Sequence, residues 1–98
     1  MLSIIIPTYN ERENIGALIR RLEKLDFSIP FEIIIVDDNS PDGTWRIAEE
    51  IGRIYGNVIV IRRHENMGIS SAIGDGVKIA KGDIIAVMDA DLQHPRKF

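Results

Sequence analysis

Four short runs of aliphatic and β-branched residues recur along the chain: Leu2 to Ile6, Ile33 to Val36, Val58 to Ile61 and Ile84 to Met88. None alternates with polar residues, as strands with one wet face do, so they read as strands covered on both faces in a parallel sheet. Pro7 stops the first run. Between the runs lie three segments with helical spacing. In the first, Ile15, Leu18, Ile19, Leu22 and Leu25 form one stripe, with Arg20, Arg21, Glu23 and Lys24 opposite. The second has a start signal, Ser40 as N-cap, Pro41 at the first helical position and Asp42 in the first turn. Its inward residues are expected to be Ile47, Ile51, Ile54 and Tyr55, and its end Gly56. The third carries Ile69, Ala72, Ile73, Gly76, Val77 and Ala80 on one stripe. Ala72 and Gly76 would let it lie close to the sheet, and Lys81-Gly82 supplies a stop.

Strand and helix thus alternate with short connections, which predicts an α/β fold: a Rossmann-like parallel sheet with helices on both faces and right-handed crossovers. Residues 1–98 read as one domain without repeat, linker or low-complexity segment. The chain reaches Phe98 only a few residues after the fourth strand, so a further element is expected there, and the exposed edge of that strand would otherwise pair with it.

Composition narrows the function. A net charge of −3 with scattered basic residues gives no footprint for nucleic acid. Hydrophobic residues at 45% and charged residues at 28% suit a globular domain rather than a disordered one. The absence of cysteine removes disulfides and thiolate metal sites and permits a cytoplasmic setting. The apolar runs are far shorter than the roughly 20 residues of a spanning helix, and Met1 to Ile6 reads as a strand rather than a leader.

Ligands of open α/β sheets bind outside the carboxyl ends of the strands. The unusual polar residues of this chain gather there: Pro7-Thr8-Tyr9-Asn10-Glu11 after strand one, Asp37-Asp38-Asn39-Ser40 after strand two, Asp89-Ala90-Asp91-Leu92-Gln93-His94 after strand four. On extended backbone Asp89 and Asp91 point the same way and can share a cation. Hard carboxylate oxygens select Mg²⁺ or Mn²⁺, with water and substrate phosphates completing the shell and Gln93 as a further ligand. The alternative is one Asp capping a turn and the other solvated.

Asp37 and Asp38 point to opposite faces. Asp38 suits the base or ribose of a nucleotide and Asp37 suits nearby backbone N–H groups, unless both merely belong to the turn. Tyr9 and Glu11 could meet base and ribose hydroxyls. Equally, Tyr9 could be packed and Glu11 could favour the helix dipole. Arg62-Arg63-His64 could approach a diphosphate, though a solvated loop is the simpler reading, and His94 beside Pro95 reads as turn structure. Trp45 and Phe31 read as packing residues. Gly74-Asp75-Gly76 lacks the third glycine of a dinucleotide fingerprint, no Gly-Lys-Ser or Gly-Lys-Thr of a P-loop occurs, and no activated Ser or Cys nucleophile is evident.

Ile6 to Glu11, Glu32 to Thr44 and Asp89 to Pro95, together with Gly68, Ala72, Gly76 and Ala80-Lys81-Gly82, resemble the inverting family 2 glycosyltransferases. Within them the chain is most similar to the dolichol-phosphate mannose synthase or polyprenyl-phosphate branch. The resemblance implies the N-terminal, donor-binding part of a GT-A catalytic domain. Asp89, Ala90 and Asp91 become its acidic metal motif, Asp89 and Asp91 carrying catalysis through Mg²⁺ or Mn²⁺, with Gln93 as an extra ligand. Pro7, Tyr9, Glu11, Val36, Asp38, Ala90 and Asp91 become the nucleotide-sugar pocket. The reaction implied is hexose transfer from GDP-mannose or UDP-glucose to a polyprenyl phosphate, by a parent at the cytoplasmic face of a membrane. Ile73 and Gly74 replace the Arg-Asn pair of other members, which favours this branch over polysaccharide synthases. The acceptor-binding half lies beyond these residues, so the chain alone could bind donor without turnover. Two other readings fare worse. A receiver-like signalling domain wants acidic residues after strands one and three, where Pro7-Thr8-Tyr9 and Arg62-Arg63 stand, and a sugar nucleotidyltransferase wants a Gly-rich first loop.

Overall fold

The computed structural model describes residues 1–64 and 68–90. Strands β1 (Leu2–Thr8), β2 (Phe31–Asp37), β3 (Val58–Arg62) and β4 (Ile84–Val87) alternate with helices α1 (Arg12–Lys24), α2 (Thr44–Tyr55) and α3 (Ile69–Ile79). All pairings are parallel and the spatial order is β3-β2-β1-β4. The register runs Leu2 with Phe31 through Thr8 with Asp37, and Leu2 with Ile84 through Ile5 with Val87.

The unbroken apolar strands divide by alternation between two cores. Ile4, Ile6, Ile33 and Ile35 face α1 and α2, where Ile15, Leu18, Ile19, Leu22, Ala48 and Ile51 meet them. Ile5, Ile34 and Val36 face Ala72 of α3 on the other side. Each fully buried Ile or Leu contributes on the order of 1.5–3 kcal/mol, so the β1–β2 pair with α1 is the stable centre. The edge strands were expected to be as buried as the centre. Instead β4 leaves Ile84 and Val87 half exposed, because no described helix packs closely over its faces.

The helices depart from the expected stripes at their ends. Leu25 is the exposed C-cap of α1 rather than a core residue. In α2, Ile54 and Tyr55 are exposed, since Thr44, Ala48, Ile51 and Gly52 form its buried face, while Gly56 closes the helix with a left-handed φ of 82° as expected. Likewise Ile69 and Val77 of α3 are exposed. The start of α2 moves from Ser40 to Gly43, whose φ of 81° turns the chain into the helix, so Pro41 and Asp42 lie in the preceding turn. Ser40 is drawn away from capping by Asp37, as described below.

Two glycines let α3 and the segment after it lie close to β1. A Cβ on Gly76 would stand 2.7 Å from Ile5 Cγ2, and one on Gly82 would stand 2.5 Å from the Met1 carbonyl oxygen. Gly82 is therefore a close-approach residue beside β1, not a left-handed helix stop. Its N–H donates to Ser3 Oγ at 2.9 Å, while Ser3 Oγ and the Lys81 N–H donate to the buried Glu32 carboxylate at 2.6 and 2.7 Å. Gly74, by contrast, faces open space within α3. Gly82→Ala should destabilise the fold by about 1–3 kcal/mol through overpacking, whereas Gly74→Ala should stabilise it by up to about 1 kcal/mol through helix propensity. Thermal unfolding of both variants checks the opposite signs.

Candidate functional site

In sheet order β1, β2 and β3 run one way and β4 lies on the other side of β1, which makes the carboxyl ends of β1 and β4 a topological switch point where a crevice opens. A cleft of about 170 Å³ occupies it, lined by Pro7, Thr8, Tyr9, Glu11, Asp38, Ile69, Asp89 and Ala90. Six residues singled out in the sequence thus meet there, with Thr8 and Ile69 added. Val36 does not line the cleft, since it is fully buried against α3. Asp91, Gln93 and His94 lie outside the described residues.

The cleft is shaped by hydrogen bonds behind it. The Asp37 carboxylate is wholly buried and accepts from Thr8 Oγ1 at 2.6 Å, Ser40 N–H at 2.8 Å and Ser40 Oγ at 2.6 Å. It ties the end of β1 to the loop after β2, beyond the turn role that its own segment suggested. That loop then holds the next one residue by residue. The N–H groups of Asn10, Glu11 and Arg12 donate to Ser40 Oγ at 2.9 Å, Thr44 Oγ1 at 2.9 Å and Asp42 Oδ2 at 3.1 Å. With the backbone so held, Asn10 takes a left-handed φ of 53°. Tyr9 stands half exposed rather than packed. Glu11 is the N-cap residue of α1 and also lines the cleft.

Asp38 turns the other way, to Arg63. The expectation of a solvated basic loop fails here: Arg63 is 6% exposed and is not among the residues lining this cleft. Its Nε donates to Asp38, and its other nitrogens donate to Ser71 Oγ at 2.5 Å, Asp75 at 3.2 Å and the Gly68 carbonyl at 2.9 Å. The Asp38 hydrogen bond raises the Arg63 pKa, outweighing burial, which lowers it, so the group stays charged. This strut fixes Asp38 and the start of α3 at once. Sequence reasoning missed it, because the signal was only an arginine after β3 and an aspartate in a helix. Trp45, assigned to packing, carries the Arg62 guanidinium 3.8 Å above its ring, while Phe31 packs edge-on to Phe27 at 4.9 Å as expected.

Asp89 stands exposed on the cleft at the end of β4. Its hard carboxylate, open to solvent and beside the room left for a ligand, fits a divalent cation that keeps water and phosphate ligands. No group of three or more metal-ligating residues occurs among the described residues.

Residues 3–98 match the glycosyl transferase family 2 model. The chain belongs to that family. It is 52% identical over 94 residues to a dolichol-phosphate mannosyltransferase of Pyrococcus furiosus, covering 96% of this chain and 26% of that protein. It is 40% identical over 97 residues to an undecaprenyl-phosphate 4-deoxy-4-formamido-L-arabinose transferase of Proteus mirabilis, covering 96% and 30%. Among solved structures, mannosyltransferase PcManGT from Pyrobaculum calidifontis, in complex with GDP-Man and Mn²⁺, superposes with a TM-score of 0.84 at 26% identity, over 92% of this chain and 27% of that one. S. aureus TarS 1-349 in complex with UDP gives 0.81 at 35% identity, covering 92% and 27%. The chain therefore spans about a quarter to a third of its relatives' length, and its parallel sheet is the N-terminal part of a GT-A fold. No helix among the described residues is long and apolar enough to cross a membrane.

Removing the Arg63 side chain would leave two carboxylates facing each other near the cleft. Arg63→Ala should cost about 3–5 kcal/mol, the penalty for breaking a buried pair, whereas Asp75→Asn at the more exposed end should cost about 1 kcal/mol or less. Denaturant titration of the two variants checks the ranking. At Asp42 burial raises the carboxyl pKa, but the hydrogen bonds from Thr44 and Arg12 and the Arg12 charge outweigh it, so the pKa lies below the ordinary 3.8. A depressed folded-state pKa stabilises the fold above the unfolded value, and that stability disappears as pH falls through the folded one. Asp42→Asn should therefore lose less stability than the parent on acidification below pH 3.8, as denaturation midpoints across that range would show.

Proposed function

We propose that this chain is the donor-binding part of a metal-dependent glycosyltransferase that transfers a hexose from a nucleotide sugar to a polyprenyl phosphate. The observation that carries the reading is the meeting of Tyr9, Glu11, Asp38, Asp89 and Ala90 in one cleft at the switch point of the sheet. A family relative named for dolichol-phosphate mannosyl transfer and a like-folded mannosyltransferase holding GDP-Man and Mn²⁺ support it.

In this reading Tyr9 offers its exposed ring to the base, and Asp38, held still by Arg63, accepts from the base or ribose. Glu11 accepts from ribose hydroxyls. The diphosphate lies toward Asp89, which would hold Mg²⁺ or Mn²⁺ together with Asp91 and Gln93. When bound, such a cation supplies positive charge opposite the departing diphosphate. An oxygen of the acceptor phosphate attacks the anomeric carbon on the face away from the diphosphate. The bond from that carbon to the diphosphate oxygen breaks, its electron pair leaves with the nucleoside diphosphate, and the configuration inverts. The acceptor is already anionic, so no strong general base is required of this chain. Its parent would work at the cytoplasmic face of a membrane, where a polyprenyl phosphate is presented.

Calorimetric titration with GDP, UDP, GDP-mannose and UDP-glucose, with and without Mn²⁺, tests the site. One of the two nucleotides should bind in a Mn²⁺-dependent way, and Asp89→Asn or Asp91→Ala should weaken binding at least about tenfold, the loss of one strong charged contact. Binding that ignores both Mn²⁺ and these substitutions would refute the assignment.

A further inference from the structure

Beside the cleft, and sharing no lining residue with it, lies a second cavity of about 550 Å³ between the loop after β2 and the start of α2. Arg12, Arg46 and Arg62 reach it from α1, α2 and β3, and Trp45 forms one wall. We propose that this cavity is a binding site for a phosphate group, distinct from the nucleotide-sugar cleft.

Charge and pre-organisation argue for it. Among the described residues none of the three guanidinium groups is in an ion pair. Arg62 is held in place without an ion pair to any described residue: it lies 3.8 Å over the Trp45 ring, and its Nε donates to Asn39 Oδ1 at 2.9 Å. Arg46 approaches the same ring at 5.3 Å. Arginine held in this way retains donors in a planar fork that matches phosphate oxygens and has less entropy to lose on binding. Asp42 is the one carboxylate among the lining residues. Its oxygens are occupied by the N–H groups of Thr44 and Arg12 and the Thr44 hydroxyl. The lining therefore keeps an excess of positive charge, and the N-terminal end of the twelve-residue α2 adds its dipole to it. The volume admits a phosphate with an organic substituent, such as a soluble phosphate monoester or the headgroup of an anionic phospholipid.

Trp45 is the only tryptophan in the chain, so its fluorescence reports on this cavity alone. The chain would be titrated with inorganic phosphate, with glycerol 3-phosphate, and with phosphatidylcholine vesicles with and without phosphatidylglycerol. A saturable change in Trp45 emission is expected with a phosphate monoester or with anionic vesicles, and none with neutral ones. Response to vesicles alone would assign a lipid headgroup, and response to glycerol 3-phosphate a soluble ligand. Arg46→Gln and Arg62→Gln should each weaken the response about tenfold, as loss of one charge-assisted contact implies. Both should keep the parent's circular dichroism and its Mn²⁺-dependent nucleotide binding. Asp89→Asn should show the reverse pattern, which separates failure of this site from failure of the donor site. No response to any phosphate probe, or a response unchanged in both arginine variants, would overturn the proposal.

Discussion

A single buried carboxylate at the end of β2 governs the upper edge of this sheet. Asp37 is fully enclosed, and an anion there is tolerable only because three hydrogen bonds, from Thr8 and from the backbone and hydroxyl of Ser40, replace its water. Their effect is geometric. Thr8 is the last residue of β1 and Ser40 lies in the loop before α2, so the central strands leave the sheet in a fixed relation. Ser40, Thr44 and Asp42 extend that relation to three successive N–H groups of the loop before α1. Tyr9 and Glu11 are placed on the cleft by a chain of bonds that begins inside the core.

Asp38 shows the same economy on the opposite face. Consecutive strand residues point apart, so one acidic pair serves two networks: Asp37 holds the loops, and Asp38 pairs with Arg63, which reaches Gly68, Ser71 and Asp75 around α3. Burying a guanidinium is offset by hydrogen bonds from all three of its nitrogens. The result is a cleft whose walls come from elements on both faces of the sheet, joined through Asp38. Local stiffness of this kind lets a site recognise a ligand without ordering its own walls on binding.

The architecture was legible because it rests on patterns local in sequence. Uninterrupted runs such as Ile33 to Val36 signal strands covered on both faces, and the polar clusters after them signal the ligand edge. The gathering of Pro7, Tyr9, Glu11, Asp38, Asp89 and Ala90 followed from that rule. Errors arose where a residue's fate depends on something distant. Ser40 reads as an N-cap until Asp37 claims its hydroxyl, so the helix starts at Thr44. Arg63 reads as a surface charge until Asp38 and Asp75, 25 and 12 positions away, are brought around it. Val36 lies on the strand that feeds the site, but the pleat turns it into the α3 core. Ile54, Tyr55 and Val77 fit the helical stripes but stand exposed.

Arg62 and Arg63 carry this contrast to its end, because adjacent residues of one type meet opposite environments. At the end of β3, Arg63 turns inward and is neutralised by two carboxylates, while Arg62 lies over Trp45 and, among the described residues, donates its Nε to Asn39 without an ion pair. The first is consumed by structure, and its charge is not felt outside. The second is fixed in position with its charge intact, facing Arg46 and Arg12 across an open cavity. Three arginines against the single carboxylate of Asp42 leave the cavity lining with an excess of like charge, which raises the free energy of the fold, so the arrangement makes physical sense where an anion completes it.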